Sequence, residues 1–319
     1  MFVKNQTCFI IVTAIAVGLN FFRLHFGLGG ADEAYYYLTA YRLSSGSKLL
    51  VDVWEHQFSA LFTAPLVYVF QVVTGSLDGV ILFLREAYLI FTIILLLSLR
   101  KRIELLTSNS SSWYLMILML LYCPWSLATF SYNTLSLFFL YASFVFAASE
   151  LLFRHQPASN FSFFISGIYA GLAVIAYPVY VMVAVLYMLS IFFTCSILHS
   201  DRGIRSVLQY FLGLSFVGIT MIGYLAYSIG GIELLWGRLS MLFGVYSGVP
   251  MGRGIEKLSG YWSIIIDVLI YLSATLFSLA MMSMVARVLK KDLDRHSKLI
   301  LASICGASLF LVGSSIELI

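Results

Sequence analysis

Long apolar runs joined by short polar links fill most of this chain, and they constrain its fold more than any other feature. A membrane-spanning helix needs roughly 20 apolar residues. Asp, Glu, Lys and Arg make up only 11% of the 319 residues, against about 25% in a typical soluble domain. The sequence therefore predicts an all-α, polytopic integral membrane protein that forms a single domain over residues 1–319. The apolar runs lie at about 6–27, 57–74, 79–99, 113–130, 133–152, 161–177, 178–198, 206–229, 261–286 and 299–317.

Basic residues in the short links predict which ends of these helices face the cytoplasm. Twelve of the 19 Lys and Arg residues lie at Lys4, 100–102, Arg154, 202–205 and 287–298. From 100–102 onward, two apolar runs separate each cluster from the next, so these clusters can all lie on one side. Lys and Arg in short loops favour the cytoplasmic side.

The run at 57–74 breaks this alternation if it crosses the membrane. It is short, contains Pro65 and two Gln residues, and is predicted to lie as an interfacial helix on the outer face. The chain then has about nine transmembrane helices, with outer loops at 28–78 and 230–260. Its N-terminus is inside and its C-terminus is outside. The alternative is that 57–74 spans and the charge rule is broken.

Other features of the composition exclude several classes of partner. The formal net charge of +4 comes without a long basic run, so no nucleic-acid partner is expected. The four cysteines lie in apolar runs without a CxxC pair, which favours buried thiols over zinc or disulfides. The N-terminal segment has one basic residue, Lys4, before the long apolar run at 6–27, and this run is predicted to be a retained first helix. The glycine-rich 230–260 loop is a long connection or a mobile lid.

Acidic residues concentrate in the first outer loop. Asp32, Glu33, Asp52 and Glu55 account for four of the 15 acidic residues in the chain. Asp32-Glu33 opens a predicted helical stretch over 34–43, in which Tyr36, Ala40 and Leu43 fall on one face. Carboxylates in such a place can act as a general base, bind a divalent cation, or remain solvated loop charges.

Cations near the outer face form a second group of candidates. Arg85 and Glu86 lie just inside the outer end of the 79–99 helix. An unpaired charge there is costly, which predicts that they pair with each other or with a substrate. In the late outer loop, Arg238, Arg253 and Lys257 either bind a phosphate or are solvated. The polar turn at 131–134 is predicted to lie on the same surface.

These motifs resemble the first half of GT-C glycosyltransferases, which are polytopic enzymes that transfer a sugar from a polyprenyl-phosphate carrier. The likeness covers about residues 1–180 and extends to the aminoarabinose transferase and protein O-mannosyltransferase group. The sequence departs from that family's pattern at Asn133-Thr134, where many members have Pro-Asp, and at Tyr177, where a lysine is common. The matching stretches are Asp32-Glu33-Ala34-Tyr35-Tyr36, Tyr41-Arg42-Leu43, Gly46, Asp52-Val53-Trp54-Glu55-His56, Ala64-Pro65-Leu66, Arg85 and 166–178.

The resemblance implies a site on the outer face of the plasma (inner) membrane. Asp32, with Glu33 beside it, would act as general base toward an acceptor hydroxyl or amine on a lipid, glycan or protein. Glu55 would hold a candidate divalent metal. The donor's phosphate would contact four basic residues: Arg85, His56, Arg238 and Arg253. Longer relatives carry further helices or a soluble domain, so this chain is either a minimal member or depends on a partner subunit.

Two other functions are compatible with an all-membrane composition. A lipid or polysaccharide transporter or flippase typically has internal repeats and paired charges near the bilayer midplane. In this chain Asp267 is the main charge deep within a predicted crossing. A non-catalytic membrane protein of envelope assembly would leave the loop carboxylates solvated.

Overall fold

The computed structural model describes most of the chain up to residue 246, and regular structure there is helical apart from an isolated bridge between Leu49 and Val53. The described residues are 2–25, 31–53, 58–106, 112–113, 116–117, 119–120, 129–152, 161–178, 180–198 and 203–246. The helices are α1 (Phe2–Leu24), α2 (Ala31–Ser44), α3 (Ala60–Thr74), α4 (Val80–Leu106), α5 (Tyr132–Leu152), α6 (Ser162–Ala176), α7 (Tyr180–Leu198), α8 (Gly203–Ile229) and α9 (Ile232–Tyr246).

Three of these helices are long and apolar enough to cross a bilayer. They are α4, α5 and α8, over Val80–Leu105, Tyr132–Glu150 and Ile204–Ile229. The prediction of a helical membrane protein is therefore confirmed for the part of the chain that the structure describes. The predicted crossings at 261–286 and 299–317, and much of 113–130, lie outside the described residues.

Local sequence explains where two of the helices end. Gly75 has a φ of 72° and donates its N–H to the carbonyl of Gln71, so it closes α3 in the left-handed conformation that glycine adopts without strain. Tyr177 ends α6 in an extended conformation. It precedes Pro178, and the proline ring disfavours the helical region for the residue before it.

The core lies between the long helices, and α6 is its central element. One apolar cluster joins α6 to α1, α4 and α5, and a second joins it to α5, α7 and α8. Small residues let α6 approach its neighbours closely. The Ser166 hydroxyl, for example, lies 2.8 Å from the Ser143 carbonyl of α5 and 3.0 Å from the Ser143 hydroxyl.

The contact between α6 and α8 is closest where two glycines meet. A Cβ on Gly167 would lie 2.0 Å from the carbonyl oxygen of Tyr210, and one on Gly213 would lie 2.1 Å from that of Phe164. Gly167 and Gly171 form the small-xxx-small spacing typical of tightly packed membrane helices. Backbone-to-backbone contact at this crossing therefore requires glycine on both helices.

A basic residue joins three helices at the end of the molecule opposite the first outer loop. Arg102 Nη1 donates to the hydroxyls of Ser149 and Ser162, at 3.1 and 3.2 Å, and its guanidinium lies 4.1 Å from the ring centre of Phe146. Arg102 and Arg85 are both on α4, and the helical rise separates them by about 25 Å. This separation agrees with the predicted assignment of the 100–102 cluster and the acidic loop to opposite sides.

The predicted position of α3 can be tested by labelling. The helix has 15 residues, a length of about 22 Å, whereas the hydrocarbon core is about 30 Å thick. A single cysteine introduced at Gly75, in a background without native cysteines, is expected to react with an impermeant maleimide added outside intact cells. Labelling only after permeabilisation would show that 57–74 spans. A cysteine at Lys101 serves as the control for the cytoplasmic side.

Candidate functional site

A buried ion pair occupies the point where α1, α2, α4 and the start of α5 meet. Glu33 of α2 has 1% of its surface exposed, and Arg85 of α4 has 8%. Arg85 Nε donates to Glu33 Oε1 at 2.7 Å, and Nη2 donates to Oε2 at 2.5 Å. The two side chains thus form the bidentate arrangement in which arginine binds carboxylates most strongly.

Arg85 also joins this pair to the end of the first helix. Its Nη1 donates to the Leu24 carbonyl at 2.7 Å, and Leu24 is the last residue of α1. The last carbonyls of a helix have no partner within the helix, and a cation there is favourable. One guanidinium therefore binds both the C-terminus of α1 and the first turn of α2.

Tyr37 extends the network to the segment before α5. Its hydroxyl donates to Glu33 Oε1 at 2.9 Å and lies 3.0 Å from the Thr129 hydroxyl. Burial, together with the negative charge of Glu33, raises the pKa of Tyr37 well above its usual 10. The phenol therefore stays protonated and remains a hydrogen-bond donor to Glu33 across the physiological pH range.

The energetics of a buried pair make this network sensitive to substitution. Removing one partner of such a pair typically costs about 3–5 kcal/mol, because the other charge is left buried and uncompensated. The sequence suggested Glu86 or a substrate as the partner of Arg85. The structure pairs Arg85 with Glu33, 52 residues away along the chain.

The predicted base, Asp32, belongs to the first turn of α2 and directly precedes Glu33. Its side chain lies outside the description. Its backbone position follows from the anchoring of Glu33, because adjacent residues of a helix move together. The buried face of α2 is the predicted one, since Tyr36 and Ala40 are both buried and Leu43 packs against the core.

A row of tyrosines crosses the same end of the bundle. The ring centres of Tyr36 and Tyr132 are 5.7 Å apart, and those of Tyr132 and Tyr177 are 4.7 Å apart. Tyr180 continues the row at 5.8 Å from Tyr177. The sequence placed the 131–134 turn, which contains Tyr132, on this surface, but it predicted no role for the ring of Tyr132 or of Tyr177. The signal that could have found them is the position of each at the outer end of a predicted helix, where tyrosine is enriched in membrane proteins.

The polar turn at 131–134 mainly caps a helix. Ser131 and Thr134 are almost fully buried, and each accepts a hydrogen bond from the other's backbone N–H, at 3.2 and 3.0 Å. This reciprocal arrangement satisfies donors at the start of α5. Within the described residues, Asn133 Oδ1 is buried without a hydrogen-bond partner. The hydroxyls of Ser131 and Thr134 are therefore used within the turn, while its predicted place on the outer surface stays a prediction.

Parts of the 28–78 and 230–260 segments, both predicted to be outer loops, contact each other although they lie far apart in the chain. Leu49, Leu50 and Phe58 of the first loop form one cluster with Leu225 of α8 and Leu235 of α9. Within the first loop, Asp52 Oδ2 accepts the Lys48 N–H at 2.7 Å, so this carboxylate stabilises the loop itself. Arg238 lies on α9, half-buried, on the same side of the bundle as this cluster.

The remaining predicted site residues are not described. Glu55 and His56 lie in the gap at 54–57, and Arg253 lies beyond residue 246. Within the described ranges, no group of three or more His, Cys, Asp and Glu side chains could hold a metal. The metal site at Glu55 and the phosphate contacts of His56, Arg238 and Arg253 stay predictions.

Comparisons of the chain with protein-family models, with curated proteins and with solved structures give no match. The geometry around the Glu33–Arg85 pair is therefore the main structural basis for a functional proposal.

Proposed function

We propose that the protein is a membrane glycosyltransferase that moves a sugar from a polyprenyl-phosphate donor to an acceptor on the outer face of the membrane. The observation that carries this proposal is the bidentate Glu33–Arg85 pair. It fixes the first turn of α2, which contains Asp32, against the ends of α1 and α4. A catalytic carboxylate needs such a fixed backbone, because misplacement of a reacting group by about 1 Å can cost 10²-fold in rate.

The proposed reaction is a direct displacement. Asp32 accepts the proton of the acceptor hydroxyl or amine while that oxygen or nitrogen attacks the anomeric carbon of the sugar. The bond from this carbon to the phosphate oxygen breaks, and the lipid phosphate leaves with the bonding electron pair. His56, Arg238 and Arg253 would stabilise the leaving phosphate, since charged donors bind phosphate oxygens strongly. The product has the inverted configuration at the anomeric carbon.

The tyrosine row supplies a surface for the transferred sugar in this proposal. Tyr132 and Tyr177 are half-buried, and Tyr36 is one helical turn from Asp32 on α2. The apolar face of a pyranose ring would therefore pack on the rings of Tyr132 and Tyr177, near the first turn of α2, which contains Asp32.

The complete topology belongs to the same proposal. About nine crossings place the N-terminus in the cytoplasm and the C-terminus outside, and α3 lies at the outer interface of the plasma membrane. Large apolar side chains on α3 support contact with lipid, since Tyr68, Val69, Val72 and Val73 are exposed. Both outer loops then border the site, in agreement with the cluster that joins them.

The position of the buried charges supports an enzyme over a transporter. Arg85 lies five residues after the first residue of α4, about 8 Å along the helix axis, whereas transport sites typically lie near the bilayer midplane.

Purified protein in lipid vesicles would be incubated with radiolabelled polyprenyl-phosphate hexoses and pentoses and with membrane acceptors. Transfer of label with inversion is expected. Movement of the intact labelled glycolipid across the vesicle membrane, without transfer of its sugar to an acceptor, would instead establish a flippase.

A further inference from the structure

The two ends of the link between α1 and α2 are bound to the same side chain. Arg85 donates from Nη1 to the last residue of α1 and from Nε and Nη2 to the third residue of α2. Residues 26–30, between these points, lie outside the description. Arg85 therefore connects the end of α1 directly to the first turn of α2, whatever path the link takes.

The shape of the guanidinium makes this arrangement specific to arginine. Its planar fork can contact both carboxylate oxygens and still direct the other terminal nitrogen toward a carbonyl. A lysine ammonium is a single point with flexible donors and cannot hold three acceptors in one plane. All three side-chain nitrogens of Arg85 are donors to protein atoms, and the side chain is 9% exposed. This geometry does not favour a direct contact with a donor phosphate.

We propose that Arg85 is a positioning residue. It holds the Glu33 carboxylate and the Leu24 carbonyl together, fixes the start of α2, and thereby places Asp32 at the outer end of the bundle. The sequence assigned Arg85 to the substrate phosphate; the positioning role replaces that assignment. The inference rests on the proposed function for its kinetic consequence, while its structural part can be tested independently of activity.

The kinetic test uses Arg85→Lys and the double variant Glu33→Gln/Arg85→Gln. The first keeps the positive charge, and the second leaves no unpaired buried charge, so both avoid the main cause of misfolding. The turnover number is expected to fall by about 10²-fold, the typical cost of a small misplacement of a reacting group. The KM for the lipid donor and the affinity for farnesyl phosphate are expected to stay unchanged. Arg23→Gln, an exposed arginine next to Leu24, is the matched control.

The structural test measures the position of α2 directly. Spin labels on Leu38 of α2 and Leu97 of α4, both exposed, report the distance between the helices by pulsed electron resonance in a cysteine-free background. The distance distribution is expected to broaden in Arg85→Lys and in the double variant, and to stay narrow in Arg23→Gln. This readout gives the same answer if the wild-type protein transfers no sugar, so failure of the proposed function is distinguishable from failure of the positioning role.

Two results would overturn the inference. An unchanged distance distribution in both Arg85 variants would show that α2 is held by other contacts. Weaker binding of farnesyl phosphate and a raised donor KM, with turnover intact, would identify Arg85 as a phosphate ligand after all.

Discussion

Asp32→Asn is expected to reduce sugar transfer by about 10²–10⁴-fold, the usual contribution of a general base. The amide keeps the shape of the side chain, but it cannot accept the acceptor's proton. The initial rate of label transfer from the polyprenyl-phosphate donor measures this loss. Donor KM is expected to change little, because the carboxylate acts on the acceptor and not on the phosphate.

Asp78→Asn provides the matched control for this substitution. Asp78 is an exposed aspartate in the turn before α4, on the same side of the bundle, and it has no part in the proposed chemistry. Its variant should retain full activity. Near-normal transfer by correctly inserted Asp32→Asn would remove Asp32 from the role of base and would favour another carboxylate of the first outer loop.

Gly167→Val is expected to destabilise the protein strongly. Even the first carbon of the new side chain would overlap the Tyr210 carbonyl, which is backbone and cannot rotate away. Overpacking in a tight core costs typically about 1–3 kcal/mol and occasionally more. The helices must separate, and the Ser166–Ser143 hydrogen bonds on the other side of α6 are then strained. The midpoint of thermal unfolding in detergent, followed by size-exclusion chromatography, measures the effect.

Substitutions at two glycines of α8 provide the comparison for the close contact between α6 and α8. Gly213→Ala should behave like Gly167→Val, because its Cβ would meet the Phe164 carbonyl. Gly218→Ala lies five residues further along α8, where a Cβ would have nothing within 4 Å. It should be neutral or stabilising by roughly 0.5–1 kcal/mol, since alanine is the better helix former. Equal stability of Gly213→Ala and Gly218→Ala would contradict the close crossing.

Several elements of the fold follow from local patterns and were predictable. Apolar runs of sufficient length gave the helices, and the i, i+4, i+7 spacing of Tyr36, Ala40 and Leu43 gave the buried face of α2. These features depend on residues close together in the chain. The short apolar run at 57–74 also forms a helix, Ala60–Thr74. That this helix lies at the membrane interface and does not span the membrane stays a prediction.

The candidate site was predictable only in part. Asp32-Glu33 and Arg85 drew attention because charge is rare in this chain and costly near a membrane. The sequence did not show which of these charges pair with each other, because it gives no distance between Glu33 and Arg85. The rings of Tyr132 and Tyr177 were missed, although their position at the outer ends of predicted helices was a signal. That signal is weak because tyrosine commonly occupies such positions, and only the ring contacts bring these two together.

The sequence by itself determined that this protein is helical and bound to a membrane, because burying backbone polar groups in lipid leaves few alternatives to helices. It also determined that four of the 15 acidic residues lie close together in the chain, between residues 32 and 55. Only the tertiary structure decided which charges pair, which glycines touch and which tyrosines form a row. Most of those outcomes depend on contacts between residues more than 40 positions apart, such as Glu33 with Arg85 and Gly167 with Tyr210. Packing of whole helices selects such contacts, and no local pattern encodes them.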